Sequence, residues 1–279
     1  MKTSSLLAIL GCMLSSCGGG GSSDGSSDSA VLVSEEITPA APVLVEEITP
    51  PAPVLLKALD ISVYSGNINA AHVQGWKSAG FSHVVVGTQN AAVAKQQLSM
   101  LVAGGMTVDI YKYLYFTSSM TTQVQNALAI ANGFPVGRIW LALEADPGSL
   151  NVWQLCELIQ EGIDACGTMP IGIYTGNFWR TYMQGCAKFA EYPLWYAHYD
   201  NVPTFDDWKT KAFGGWTPPT AKQYMGNTTA GGNSVDVDKD ILWLNLPGGG
   251  PPPLAGVPTA RGEVARAVMV QLPARGWTR

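Results

Sequence analysis

Residues Arg138 to Tyr174 read RIWLALEADPGSLNVWQLCELIQEGIDACGTMPIGIY, and their periodicities decide the fold. Arg138 to Leu143 is an apolar run of strand length, and so is Pro170 to Tyr174. Between them Val152, Leu155, Cys156, Ile159, Ile163 and Cys166 recur at i, i+3, i+4, i+7, i+11 and i+14. That spacing lays one apolar stripe along a helix, with Asn151 placed to cap it. Strand, helix, strand in this order predicts parallel neighbours joined by a crossover.

The unit recurs on both sides. Further runs of strand length lie at Ala58 to Val63, His83 to Gly87, Thr107 to Leu114, Leu194 to Ala197, Ala221 to Tyr224 and Val235 to Val237, with helical patterns between the earlier ones. Eight candidate strands predict an α/β fold, an irregular (β/α) barrel of TIM-barrel type whose functional groups gather at the strand C-termini. A doubly wound open sheet is the rival arrangement.

The chain has 279 residues, 47% of them hydrophobic and 13% charged, enough for one large domain. All seven Phe, all ten Tyr and eight of nine Trp fall within residues 57–247, so only that segment can build a core. With 21 acidic residues against 16 basic ones, the chain offers no electrostatic footprint for a nucleic acid. Three His and five Cys include no CxxC or HxxxH pair, so no metal site is read, and no cofactor.

The ends read as address and tether. Lys2 precedes an apolar run from Leu6 to Leu14, long enough for a secretory signal and too short to span a bilayer. Leu14, Ser15, Ser16 and Cys17, followed by Gly18, resemble the bacterial lipobox, in which the Cys is lipidated and becomes the mature N-terminus. Residues 1–17 are therefore expected to be a lipoprotein signal peptide, with the protein exported and held on an outer membrane or elsewhere in the cell envelope by lipid at Cys17. Residues 18–56 are Gly, Ser and Asp, then VLVSEEITPAAP nearly repeated as VLVEEITPPAP, a flexible linker. Residues 248–279 open with GGGPPP and form a low-complexity tail. Cys156 and Cys166 share the helical stripe about 15 Å apart and cannot bridge; Cys166 with Cys186 is the candidate disulfide, three free thiols the alternative.

Carboxylates stand where strands end. Asp60 closes the first strand in LDISVYSG, Glu144 and Asp146 the fourth in IWLALEADPG, and Asp236 and Asp238 the last in SVDVDKD. Period-two alternation puts Glu144 with Asp146, and Asp236 with Asp238, on one side of their strands. In a closed barrel all three groups converge at one mouth. Mutual repulsion then raises some of their pKa values, and cleavage of a glycosidic bond needs one protonated acid beside ionised partners. Aromatics in or beside the same strands would wall a sugar groove. The plainer reading is that the acids are solvated loop starters and the aromatics fill core.

The order ALDISVYSGNIN, WKSAGFSHVVVGTQ, YKYLYF, IWLALEAD, IGIYTGNFW, YPLWYAHYD, FGGW, KQYMG and SVDVD resembles glycoside hydrolase family 25, the lysozymes that cut the muramic acid linkage of peptidoglycan. PLWYAHYD, FGGWTPP and KQY in sequence resemble its divergent branch, better known from eukaryotes. The resemblance spans nearly all of 57–247. It implies a catalytic domain there, peptidoglycan or a related polysaccharide as partner, and an irregular barrel with a groove at the strand C-termini. By position Glu144 resembles the general acid, Asp60 the first-strand Asp and Asp236 the last-strand Asp, while Tyr64, Tyr113, Tyr174, Trp195, Tyr196, Gln223 and Tyr224 are the candidate substrate-binding residues. One position departs: the family's central strand carries Asp-x-Glu, and two before Glu144 stands Ala142. Asp146 is the candidate substitute. Two readings follow, a membrane-anchored N-acetylmuramidase weakened by Ala142, or a catalytically dead relative that binds cell-wall glycan. If a carboxylate is simply missing, Ala142→Asp should raise cleavage.

Overall fold

Eight strands close into a barrel in chain order. They are β1 (Val54–Ile61), β2 (Phe81–Gly87), β3 (Thr107–Tyr113), β4 (Val136–Ala142), β5 (Ile171–Thr175), β6 (Leu194–Ala197), β7 (Ala221–Thr228) and β8 (Val237–Leu244). The computed structural model describes residues 54–244; Cys17, the signal segment, most of the linker and the tail lie outside the described residues. The closed barrel replaces the rival open sheet. Strands β1 to β7 run parallel, while β8 lies antiparallel to both β7 and β1. Its start therefore joins the C-terminal ends of the other seven.

Two boundaries move. The expected last strand, Val235 to Val237, is replaced by β8 from Val237, because Asp238, Lys239 and Asp240 interrupt the apolar pattern of a strand that continues to Leu244. At the other end Val54, Leu55 and Leu56, expected in the linker, already pair with Leu244, Trp243 and Leu242.

Alternation along the strands makes two apolar layers. Leu59, Ile61, Val84, Val86, Ile110, Ile139, Leu141 and Ile173 face outward and pack beneath the helices. Ala58, Val85, Trp140, Ala142, Tyr174, Trp195, Ala221 and Leu242 fill the interior. Gly172 on β5 makes room for the largest of these: a Cβ there would fall inside the Trp140 indole. Trp140 in turn donates from Nε1 to Asp109 at 2.9 Å, closing the barrel floor.

Four helices cover the first half: α1 (Ala70–Ser78), α2 (Ala91–Ala103), α3 (Met120–Ala131) and α4 (Val152–Ala165). Each opens on a polar cap, Asn69, Asn90, Ser119 or Asn151, whose side chain accepts from backbone N–H groups of the first turn. Helix α4 matches its sequence reading, with Leu155, Ile159 and Ile163 buried. On the other flank only α5 (Asn177–Tyr182) and α6 (Trp208–Lys211) form. Aromatics do the covering there, with Trp179 edge-on to Trp216 at 4.6 Å and Trp208 to Phe213 at 5.2 Å, which gives FGGW a packing role.

The three described cysteines are free thiols, the alternative to a Cys166–Cys186 disulfide. Cys186, in the loop after α5, lies 3.0 Å in Sγ to Sγ distance from Cys156, while Cys166 is buried and donates to the Gly162 carbonyl at 3.3 Å. Both helical cysteines lie on one stripe, so the pairing depends on which turn of α4 the loop reaches.

Candidate active site

The barrel mouth collects acids from three strands. Asp60 is the penultimate residue of β1, Asp238 and Asp240 lie in the first half of β8, and Glu144 follows β4. In an eight-strand barrel β4 stands opposite β8, so Glu144 faces Asp238 across the opening. Antiparallel pairing sets Asp60 opposite Asp238, and Ala58 opposite Asp240.

Gln223 on β7 ties the acids together. Its Nε2 donates to Asp60 at 2.6 Å and to Asp238 at 2.9 Å, while its Oε1 accepts from the hydroxyls of Tyr174 and Tyr199, both at 2.6 Å. All four groups fix the amide orientation, since only nitrogen can face carboxylates and only oxygen two donating hydroxyls. Beneath them Trp195 donates from Nε1 to Asp240 at 2.9 Å, and at the rim the Asn227 N–H donates to Asp238 at 2.6 Å. Trp195 packs edge-on to Tyr174 at 4.4 Å.

Burial dominates the electrostatics. It holds Asp60 well above the usual aspartate value, the Asp238 charge adding to it and the Gln223 hydrogen bond opposing it. Asp240 is raised well above its ordinary value by burial and then by Asp60. Burial and mutual repulsion thus both favour the protonated form of this pair. Asp238 is raised by burial against the opposing Asn227 N–H, with Asp236 adding repulsion. Glu144, open to solvent at the mouth, is raised first by partial desolvation, with Tyr174 opposing and the Asp238 charge adding. One side of the mouth thus holds a glutamate whose pKa is raised, and the other a hydrogen-bonded set of carboxyls.

Several sequence-read residues stand elsewhere. Asp236 is exposed and engaged through its carbonyl, which accepts from Ser65; Asp238 takes the place expected of it. The chain reads V-D-V-D-K-D, so a slip of two residues keeps every side chain on its face and the sequence does not distinguish the two acids. Asp146 is exposed and accepts from the Gly148 N–H in the loop after β4, so it does not join the cluster as the substitute carboxylate. Tyr196 and Tyr224 face out of the barrel, Tyr196 packing on Trp208 at 4.9 Å and Tyr224 against Phe205 and Ile241. Neighbours on a strand cannot both face inward, so Trp195 and Gln223 exclude them. Tyr113 stands close enough to Glu144 for its charge, after burial, to raise the Tyr113 hydroxyl pKa. Tyr64 stands on the 3-10 turn after β1, 86% exposed. Ala142 is inward and buried, in register with Tyr113 and Tyr174.

Neither Asp240 nor Tyr199 is among the candidate site residues of the sequence. Asp240 lies past the point where hydropathy ends the last strand. Tyr199 is brought in by the loop after β6, whose anchor is a buried lysine. Lys222 faces out from β7 with its side chain fully enclosed, donating to Asp200 at 2.8 Å, to Asp207 at 3.0 Å and to the Thr204 carbonyl at 3.0 Å. His198 and Tyr196 bind the other oxygen of Asp207 at 2.7 and 3.1 Å. His198, Asp200 and Asp207 lie close enough to share a metal ion, but the Lys222 ammonium already supplies their countercharge. Lys222→Met is expected to leave two acids uncompensated and free the loop. Because both acids keep some solvent, the cost should fall at or below the low end of the ~3–5 kcal/mol of a broken buried pair. Thermal unfolding measures that loss, and an unchanged Tm would refute the anchoring role.

Residues 58–224 match the family model described as Lysozyme-like protein 1. Among curated relatives, Counting factor 50 of Dictyostelium discoideum is 28% identical over 188 residues, covering 63% of this chain and 59% of the relative. The Probable GH family 25 lysozyme 4 of the same organism is 38% identical over 112 residues, covering 38% and 49%. The chain thus spans about half the length of these relatives. Among solved structures, the modular autolysin LytC from Streptococcus pneumoniae, in complex with a synthetic peptidoglycan ligand, superposes with a TM-score of 0.53 at 15% identity over 68% of this chain and 47% of that one, a likeness of fold.

Proposed function

Since this chain belongs to the lysozyme-like protein 1 family, a divergent branch of glycoside hydrolase family 25, we propose that it is an N-acetylmuramidase hydrolysing the glycan strands of peptidoglycan, held on a membrane by lipid at Cys17. The observation that carries this reading is Glu144, raised in pKa and solvent-accessible at the mouth, facing carboxyls bridged by Gln223. The peptidoglycan ligand of LytC, on the same fold, supports the substrate class.

The chemistry divides by environment. Glu144 gives its proton to the departing glycosidic oxygen, and as a carboxylate it then takes a proton from the water that adds to the anomeric carbon. Asp238 carries the negative charge facing it: of the three carboxyls on that side it is the least buried, and it accepts two N–H donors. Asp60 accepts from the same Gln223 amide and so orients the group that holds Asp238. Asp238 therefore does the work of the carboxylate absent at Ala142, from the opposite wall of the barrel.

Purified protein acting on peptidoglycan should lower turbidity and release products with N-acetylmuramic acid at the new reducing end. Reducing ends of N-acetylglucosamine, or no new ends, would overturn the reading. Labelled palmitate should enter the wild type and not Cys17→Ser; equal incorporation would remove the anchor.

Ala142 favours the second reading, a glycan binder, because its methyl group offers no carboxylate where the family has one. The structure changes the expected result of Ala142→Asp. A further acid buried in the barrel interior, in register with Tyr113 and Tyr174 and without a charge partner, should cost about 1–3 kcal/mol and leave turnover unchanged or lower. A rise of tenfold or more, over a wild type that binds glycan without cutting it, would instead establish the binder.

A further inference from the structure

We propose that Cys156 and Cys186 form a disulfide that staples α4 to the loop after α5. Their sulfurs are 3.0 Å apart, about 1 Å beyond the bond itself, so closure needs only a small shift of the loop. Both residues are half-buried, whereas the third described cysteine, Cys166, is buried and engaged with the Gly162 carbonyl. The Cys186 segment matters to the fold because it leads to Tyr192, whose carbonyl accepts from Trp216 at 2.8 Å, and Trp216 packs on Trp179 and Phe213 where the helix layer is thin. The bond closes 30 residues of chain across that flank.

The step is a thiol–disulfide exchange with an external disulfide such as oxidised glutathione. Burial and the neighbouring sulfur push the Cys156 thiol up to about 12, which disfavours Cys156 as the first attacker. The Cys186 thiolate attacks one sulfur of the external disulfide and expels the other as a thiolate, giving a mixed disulfide. Cys156 loses its proton and attacks the Cys186 sulfur, expelling the second thiolate. Two thiol protons leave the protein, two electrons pass to the oxidant, and two small thiols are released. Lys188 stands close enough to Cys156 to favour its ionised form in the second attack.

The test needs no enzymatic assay, so it fails or succeeds separately from the hydrolase reading. The purified full chain is equilibrated with oxidised or with reduced glutathione, alkylated under denaturing conditions and mapped by peptide mass. The oxidised sample should contain one cross-linked peptide pair joining Cys156 to Cys186, lighter by about 2 Da than the two free peptides together, with Cys166 alkylated in both samples. Oxidation should also raise Tm by about 5–10 °C, an effect that Cys156→Ser abolishes. A cross-link through Cys166, or full alkylation of Cys156 and Cys186 after oxidation, would overturn the proposal. So would an equal Tm response in Cys156→Ser.

Discussion

Glu144→Gln is expected to lose about 10²- to 10⁴-fold in peptidoglycan cleavage while unfolding at nearly the wild-type temperature. Its side chain is open to solvent at the mouth, so an amide of the same shape removes the proton and little packing. The pH profile makes the assignment sharper. An acid catalyst must be protonated, so the rate should fall as pH rises through the Glu144 pKa, which partial desolvation and the Asp238 charge place above the ordinary glutamate value. Asp238→Asn removes a charge that disfavours ionisation of Glu144, so this alkaline limb should move to lower pH. Turbidity clearance across pH by the two variants checks both statements. Near-normal turnover by Glu144→Gln would refute its role as proton donor, and an unmoved limb in Asp238→Asn would refute the coupling.

Gln223→Leu should be the most damaging change of stability. It leaves Asp60 and Asp238 without the amide that pairs them and Tyr174 and Tyr199 without their shared acceptor. The two hydroxyls, 3.2 Å apart, can still pair with each other, so the cost falls mainly on the carboxyls, about 3–5 kcal/mol in all and a fall of roughly 6–20 °C in Tm. Its pH dependence has a definite sign. Asp60 has a folded pKa raised above its unfolded value, so protonation favours the fold at low pH and that support is lost as pH rises through the raised value. The Gln223 hydrogen bond lowers that pKa; without it the loss extends to higher pH, and the gap between variant and wild type should widen as pH rises above the ordinary aspartate range. Cleavage should fall with it, by tenfold or more, as Asp238 loses its support. Thermal melts at several pH values decide the matter: a gap that does not change with pH would mean that Gln223 only packs.

The sequence by itself determined the alternation of strands and helices, because two periodicities suffice for it: alternation in the strands and a stripe along α4, each set by local backbone geometry. It also placed Asp60 and Glu144 near the C-terminal ends of their strands, Glu144 directly after the run that ends at Leu143. Closure into a barrel rather than an open sheet was decided by the pairing of β8 with β1. Which acid of V-D-V-D-K-D enters the site was settled by the antiparallel entry of β8 and its register with β1, a pairing between residues far apart in the chain. Tertiary structure alone also turned Tyr196 and Tyr224 outward beside inward Trp195 and Gln223, and brought Tyr199 over the groove through the Lys222 anchor. The reason is physical. Local propensity depends on neighbours along the chain, whereas a buried carboxyl or lysine is tolerable only where distant partners meet its hydrogen-bonding and charge requirements. Those partners exist only once the barrel has closed.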